Sequence, residues 1–209
     1  MKKKVAYFTI CARNYLAYAL TLRSSLLAAS PDSSFYIFVA DAPIEDNMKP
    51  SGNFIALEEI NLPDPCSFKF RYTVLELATA IKPFCFLHLM EQLDFDAAVY
   101  LDPDIEVFSP LTEVEEKLLA GVSCVLTPHL LKPLSDDFLP SDLEILASGT
   151  FNLGFAAFSK NTEAIEFINW WARHLETNCL VELERGLCVD QKFVDFARSF
   201  IEKIHILRH

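Results

Sequence analysis

The stretch Tyr100-Leu101-Asp102-Pro103-Asp104 is where residue type and spacing most directly suggest chemistry. Two carboxylates one residue apart offer hard oxygen ligands. Such ligands suit Mg²⁺ or Mn²⁺, which keep waters and phosphate oxygens in their remaining positions. Pro103 fixes its own φ and lacks an N–H, so the turn between the carboxylates is stiff. The preceding residues 97–101 (AAVYL) read as a buried strand, and open α/β sheets bind ligands just beyond the carboxyl ends of their strands. An Asp-x-Asp can also do no more than terminate a strand, and the pattern is frequent in acidic chains.

The elements that must position this turn follow from apolar spacing. Residues 5–10 (VAYFTI) and 35–40 (FYIFVA) are short, β-branched or aromatic runs expected to be buried strands. Between them, Tyr15, Ala19, Leu22 and Leu26 fall on one helical face after Asn14, a suitable N-cap. Further strands are expected at 54–57, 122–127, 155–158 and 203–207. Helices are expected at 71–92, kinked or divided at Pro83, and at 112–119, 162–176 and 189–199. Polar or proline-rich loops separate them around residues 50–53, at 62–65 and after 127. Alternating strands and helices predict an α/β fold with a mostly parallel central sheet flanked by helices. No repeat, low-complexity tract or linker interrupts it, so residues 1–209 are read as a single domain.

Composition narrows the function. The 209 residues carry a formal charge of −11, with 52% hydrophobic and 22% charged residues. That balance excludes a disordered chain and opposes sequence-independent nucleic-acid binding, which neutralises phosphates with Lys and Arg. An anionic ligand would need help from something other than net charge, and a cation held by the Asp pair supplies it. With 18 Phe and only 5 Gly, the core is aromatic and turns fall to Pro, Asp, Asn and Ser. Cys11, Cys66, Cys85, Cys124, Cys179 and Cys188 include no CxxC pair, so they read as free thiols in a reducing compartment. The apolar run at 5–12 is short for a signal peptide, and the uncharged stretch at 145–159 is short for a membrane span. A cytoplasmic protein without a transmembrane segment is expected.

Five stretches in order carry a family resemblance: residues 7–14 (YFTICARN), 35–41 (FYIFVAD), 76–83 (ELATAIKP), 99–105 (VYLDPDI), and 151–155 (FNLGF) with 189–192 (VDQK) beyond it. On these the chain resembles nucleotide-sugar-dependent glycosyltransferases of the GT-A type, particularly the bacterial, family-8-like branch. The resemblance implies a metal-dependent transfer from a UDP-sugar to a carbohydrate, lipid or protein hydroxyl, with retention of anomeric configuration. It assigns the divalent metal, Mn²⁺ or Mg²⁺, to Asp102 and Asp104, with Asp102 also touching the donor's ribose. Thr9, Ile10 and Cys11 become the wall of the nucleoside pocket, and Asp41 meets the base or ribose. Lys82 becomes a cation near the diphosphate, while Asn152 and Gly154 border the donor sugar. Asp190 and Gln191 become the catalytic pair beside the anomeric carbon.

Each assignment has a plainer counterpart. Asp41 also suits an Asx turn, Lys82 a surface lysine at a helix kink, Gly154 a strand bulge, and Asp190 an acidic helix start. Trp170 and Trp171 could stack on sugars, but inside a helix one of them is expected to pack in the core. His129 follows a strand end and reads as structural. Metal-dependent relatives take a third ligand, usually His, from a segment near the C-terminus. This chain ends about where that segment would begin, which leaves His209 as a weak candidate and suggests a shortened chain. A truncated, non-catalytic nucleotide-sugar-binding domain is therefore an alternative. A sugar nucleotidylyltransferase ranks below it, because the loop after the first strand (Cys11 to Asn14) lacks glycine. Donor sugar, acceptor and oligomeric state are not encoded in any motif.

Overall fold

The computed structural model describes residues 4–44, 52–134 and 138–208. Residues 50 and 51 of the expected loop and the candidate ligand His209 lie outside the described residues. Strand β1 (Val5–Cys11) alternates its side chains between two apolar layers, sending Ala6, Phe8 and Ile10 to one face and Tyr7 and Cys11 to the other. A 3₁₀ turn at Arg13–Tyr15 then leads into α1 (Leu16–Ala29). Ala19, Leu22 and Leu26 are buried as their spacing predicts. Tyr15 is not: it is 45% exposed, because the 3₁₀ turn rotates it off the helix face. Asn14 makes no N-cap, since it sits inside that turn.

Strands β2 (Ser34–Val39) and β3 (Asn53–Ala56) extend the sheet in parallel. The helical stretch expected at 71–92 is divided. An unexpected helix, α2 (Pro65–Arg71), precedes it, and the stretch itself comprises α3 (Val74–Ala80) and α4 (Lys82–Leu87), ending in a π-helical turn at His88–Gln92. The divisions have local causes. Thr73 and Glu76 form a reciprocal capping box that starts α3 afresh, and Pro83 is placed in the first turn of α4, where its missing N–H costs nothing.

Strand β4 (Ala97–Leu101) is followed by α5 (Thr112–Leu119), β5 (Cys124–Pro128), α6 (Asp142–Ser148) and β6 (Phe151–Ser159). Then come α7 (Thr162–Leu175), a two-residue hairpin of β7 (Val181–Glu182) with β8 (Leu187–Cys188), the short helices α8 (Gln191–Val194) and α9 (Ala197–Phe200), and β9 (Ile204–Ile206). The single helix expected at 189–199 is thus two. The strand expected at 155–158 begins four residues earlier and runs antiparallel to β4.

The sheet order is β3-β2-β1-β4-β6-β5-β9, with every strand parallel except β6. This confirms the mixed α/β class with a mostly parallel central sheet. Helices α1 and α5 cover one face and α3, α4 and α7 the other. The second layer is strongly aromatic. Phe8 packs edge-on against Phe38 and Phe86 at 5.6 and 4.8 Å, and Phe158 lies between Phe86 and Trp171. Each such pair adds about 0.5–1.5 kcal/mol to simple burial. Trp171 is fully buried and Trp170 only partly, which assigns the core role to Trp171. Among the described residues no helix is long and apolar enough to cross a membrane.

Helix α7 seats much of this layer, and Asn161 caps it by accepting a hydrogen bond from the Ala164 N–H at 2.9 Å. Asn161→Ala should therefore lower the unfolding free energy by about 1 kcal/mol, read as a reduced midpoint in urea.

Candidate active site at the carboxyl ends of the strands

Asp102 continues directly from β4, and its N–H donates to Gly154 O at 2.8 Å. The Ile105 N–H returns to Asp102 O at 3.1 Å and closes the turn. Asp104 is therefore presented outward and is exposed, while Asp102 is half-buried. Both line a cleft of about 420 Å³ beside Ile10, Cys11, Tyr15 and Tyr100, with Val74, Leu75 and Thr79 of α3 as the opposite wall.

The register of β5 against β6 jumps between Leu126 and Thr127, whose partners are Ala156 and Asn152. The intervening residues bulge toward β4. There Gly154 approaches Asp102 so closely that an added Cβ would lie 3.0 Å from Asp102 Oδ2 and 3.0 Å from Asn152 Oδ1. A side chain at this position would crowd that carboxylate oxygen, which glycine avoids. The register shift bears out the strand bulge expected as the plainer reading of Gly154. Asn152 itself is exposed, and its Oδ1 accepts the Gly154 N–H at 2.8 Å.

Beneath the cleft floor lies a buried ion pair. Lys82 Nζ sits 2.6 Å from Asp190 Oδ2, with the two side chains only 2% and 3% exposed. The ammonium also donates to Leu153 O at 3.0 Å and lies 4.2 Å from the centre of the Tyr100 ring. Burial pushes the Asp190 carboxyl above the usual carboxylate range, Lys82 opposes that shift, and Asp102 adds to it. Tyr100 in turn donates from Oη to Asp102 Oδ1 at 2.5 Å. Burial, with Asp102 beside it, raises that phenol well above its ordinary value, so it is a neutral donor. A continuous contact chain thus joins Asp190, Lys82, Tyr100 and Asp102.

The backbone entering Asp190 is strained. Val189 has φ +42°, a left-handed conformation that a β-branched residue rarely adopts. Its N–H is held by Leu180 O at 3.0 Å, and the Trp171 indole donates to Asp190 O at 3.1 Å. Asp190 sits at the N-cap of α8 but makes no capping hydrogen bond, because its carboxylate faces Lys82 instead. The Gln191 amide donates to Ser148 O at 3.0 Å and approaches Cys188 Sγ at 3.8 Å. Lys192 reaches Leu146 O at 2.9 Å, Asp195 accepts from Thr150 N–H at 2.7 Å, and His129 Nδ1 meets Gly149 O at 2.8 Å. These bonds pin the end of α6, a helix with no buried side chain, and give His129 a structural part.

The residues expected from sequence therefore separate into groups. Asp102 and Asp104 line the cleft with Ile10 and Cys11, while Gly154 lies against Asp102 with Asn152 beside it, neither lining the cleft. Thr9 does not line it. Thr9 is fully buried, with Oγ1 lacking a hydrogen bond, because strand alternation turns it into the α1 side of the sheet. Asp41 is exposed, does not line the cleft, and accepts the Arg13 N–H at 2.8 Å, so it organises the loop after β1. Lys82 is neither a surface lysine nor open to the cleft, being enclosed with Asp190. Burial, reinforced by Asp41, pushes the Cys11 thiol up to about 12, which keeps it an unreactive apolar wall. Asn14, Tyr15, Thr79 and Tyr100 also line the cleft, although no site role was expected of them. Tyr15 was read as a core position of α1, and only its location just beyond β1 could have marked it.

Removing the cation should expose how much the site depends on the pair. Lys82→Met leaves Asp190 buried and unpaired, a change expected to cost about 3–5 kcal/mol. The variant's native Asp190 has a raised pKa relative to the unfolded chain, so the native state holds the extra proton. Its stability should accordingly fall as pH rises from the ordinary carboxyl pKa through the raised one. Urea unfolding at pH 5 and pH 8 should show the larger deficit at pH 8.

No protein-family model matches the chain. It is 25% identical over 211 residues to the uncharacterized protein YfnD of Bacillus subtilis (strain 168), a match covering 97% of this chain and 65% of that protein. Its structure is similar to GlyE, a glycosyltransferase of Streptococcus pneumoniae TIGR4, with a TM-score of 0.60 and 18% identity over 99% of this chain and 45% of that one. It is similar also to the galactosyltransferase LgtC, crystallised with donor and acceptor sugar analogs, with a TM-score of 0.54 and 19% identity over 96% of this chain and 72% of that one. A glycosyltransferase involved in glycosylating the major capsid of PBCV-1 gives a TM-score of 0.58 at 11% identity, covering 98% of this chain and 81% of that one. The chain has the GT-A fold of nucleotide-sugar glycosyltransferases.

Proposed function

We propose that the protein is a glycosyltransferase that moves a sugar from a nucleoside diphosphate sugar, a UDP-sugar, to an acceptor hydroxyl. The observation carrying this reading is the presence of Asp102 and Asp104 in a cleft walled by Ile10, Cys11 and Tyr15, with Gly154 packed against Asp102. The Tyr15 ring is nearly half exposed at the cleft and offers a stacking face to a nucleobase. Retention of anomeric configuration belongs to the same proposal and rests on the family resemblance.

The residues suit a divalent cation of the Mg²⁺ or Mn²⁺ kind. Asp102 and Asp104 both line the cleft, Asp104 is exposed, and Asp102 Oδ2 occupies space against Gly154 that a side chain there would crowd. Among the described residues no cluster of three or more His, Cys, Asp or Glu side chains is arranged around a metal. Asp102 and Asp104 would supply two carboxylate ligands to such an ion, which also takes water and diphosphate oxygens. Such an ion supplies charge stabilisation to the departing nucleoside diphosphate. Asp102 and Asp104 hold and orient the diphosphate end, Asn152 flanks the sugar, and the apolar α3 wall limits water at the nucleoside end.

A second reading, a nucleotide-sugar-binding domain without turnover, is favoured by one observation. Asp190 is enclosed in its pair with Lys82, and the Gln191 amide is engaged by Ser148 O, so neither side chain faces the cleft as a catalytic pair would.

Thermal-shift measurements with nucleotide sugars and Mn²⁺ test binding, because a ligand selective for the native state raises its melting temperature. UDP-sugars with Mn²⁺ should stabilise the protein, and Asp104→Ala should abolish the Mn²⁺-dependent part. Unchanged metal-dependent affinity in that variant would sink the assignment. Release of UDP from the stabilising donor separates the two readings: turnover supports the transferase, and binding alone supports the binder. Tyr15→Ala should weaken UDP by about 1–3 kcal/mol of lost stacking while leaving inorganic diphosphate unaffected.

A further inference from the structure

We propose that Tyr100 is a positioning residue that occupies one oxygen of Asp102, so that this carboxylate serves a bound divalent cation through Oδ2 alone. The inference rests on the metal-assisted reading above and adds to it a cause for ion preference. Tyr100 and Asp102 are two residues apart at the end of β4, so their side chains fall on the same side of the sheet. This brings Tyr100 Oη to Asp102 Oδ1 at 2.5 Å. Asp102 Oδ2 is not engaged by Tyr100; it lies beside Gly154, 3.0 Å from where a Cβ would be, in a residue that lines the cleft.

The phenol is not free to swing away. Tyr100 is 3% exposed, the Lys82 ammonium lies 4.2 Å from its ring centre, and the Phe8 ring packs at 5.2 Å. Lys82 is itself held by Asp190 and by Leu153 O. The buried pair therefore fixes the ring, the ring's hydroxyl fixes Asp102, and the carboxylate's orientation is set before any cation arrives. A carboxylate with one oxygen already engaged disfavours bidentate coordination. Small ions with strict octahedral geometry, Mn²⁺ and Mg²⁺, lose little by this. Ca²⁺, which takes more ligands and accepts bidentate carboxylates, gains nothing from the second oxygen.

Tyr100→Phe keeps the ring, its contact with Lys82 and its packing, and removes only the hydroxyl. UDP affinity is measured by calorimetry for wild type and variant with Mn²⁺, with Ca²⁺ and with neither. Outer-sphere partners of ligating carboxylates typically affect metal affinity by 10–100-fold. The Mn²⁺-supported affinity should accordingly fall about 10-fold or more, with a clearly smaller loss for Ca²⁺, so the Mn²⁺-to-Ca²⁺ ratio contracts. An equal loss with both ions would mean general loosening of the site and would overturn the proposal, as would an unchanged variant beside a metal-dependent wild type. A wild type whose UDP binding ignores both ions would instead overturn the metal reading itself, and this inference with it.

Discussion

The arrangement depends on one buried contact, the ion pair between Lys82 and Asp190. Two charges removed from water are expensive, and such a pair persists only with close geometry and further polar contacts. Here the cation also has Leu153 O and the face of Tyr100, while the backbone carrying Asp190 is held by Trp171 and Leu180. The pair ties the start of α4 to β4, to the bulge of β6 and to the segment entering α8. Those are the elements that deliver Tyr100, Asp102, Gly154 and Gln191. A hydrophobic substitute could fill the space, but it would not define where each of these segments ends.

Strain and close approach concentrate at the same place. Val189 adopts a left-handed backbone beside the pair, and Gly154 lies against the Asp102 carboxylate where an added Cβ would be in tight contact. Both are local violations of sequence preference, of the sort that accumulates at functional sites. The acidic character of the chain fits this picture. With a net charge of −11, a diphosphate would be repelled, and the only cation beneath the cleft floor described above, Lys82, is already neutralised by Asp190. On the proposed function, paired carboxylates that recruit a cation would reverse the local sign.

Much of the fold was legible because the chain follows simple periodicities. The runs 5–10, 35–40 and 97–101 became β1, β2 and β4, and the spacing of Ala19, Leu22 and Leu26 became the buried face of α1. What escaped were features set by tertiary contact. The reversal of β6 leaves no signature in an apolar run that pairs equally well either way. Helix α6 buries nothing, so no stripe marks it. In the candidate site, Asp102 and Asp104 stood out by their spacing after a buried strand, and Gly154 through the family resemblance. The burial of Lys82, the inward turn of Thr9 and the outward turn of Tyr15 were not legible, because each depends on a neighbour distant in sequence or on one 3₁₀ turn.

The central claim is that Asp102 and Asp104 hold a divalent cation and, through it, the diphosphate of a nucleotide donor at the ends of β1 and β4. Anomalous diffraction at the manganese edge from crystals grown with Mn²⁺ and UDP addresses it most directly. The account requires one strong peak within coordination distance of Asp102 Oδ2 and an Asp104 carboxylate oxygen, with the diphosphate on it and uracil against Tyr15. Nucleotide density in that cleft without a manganese peak, or a peak away from both aspartates, would contradict it.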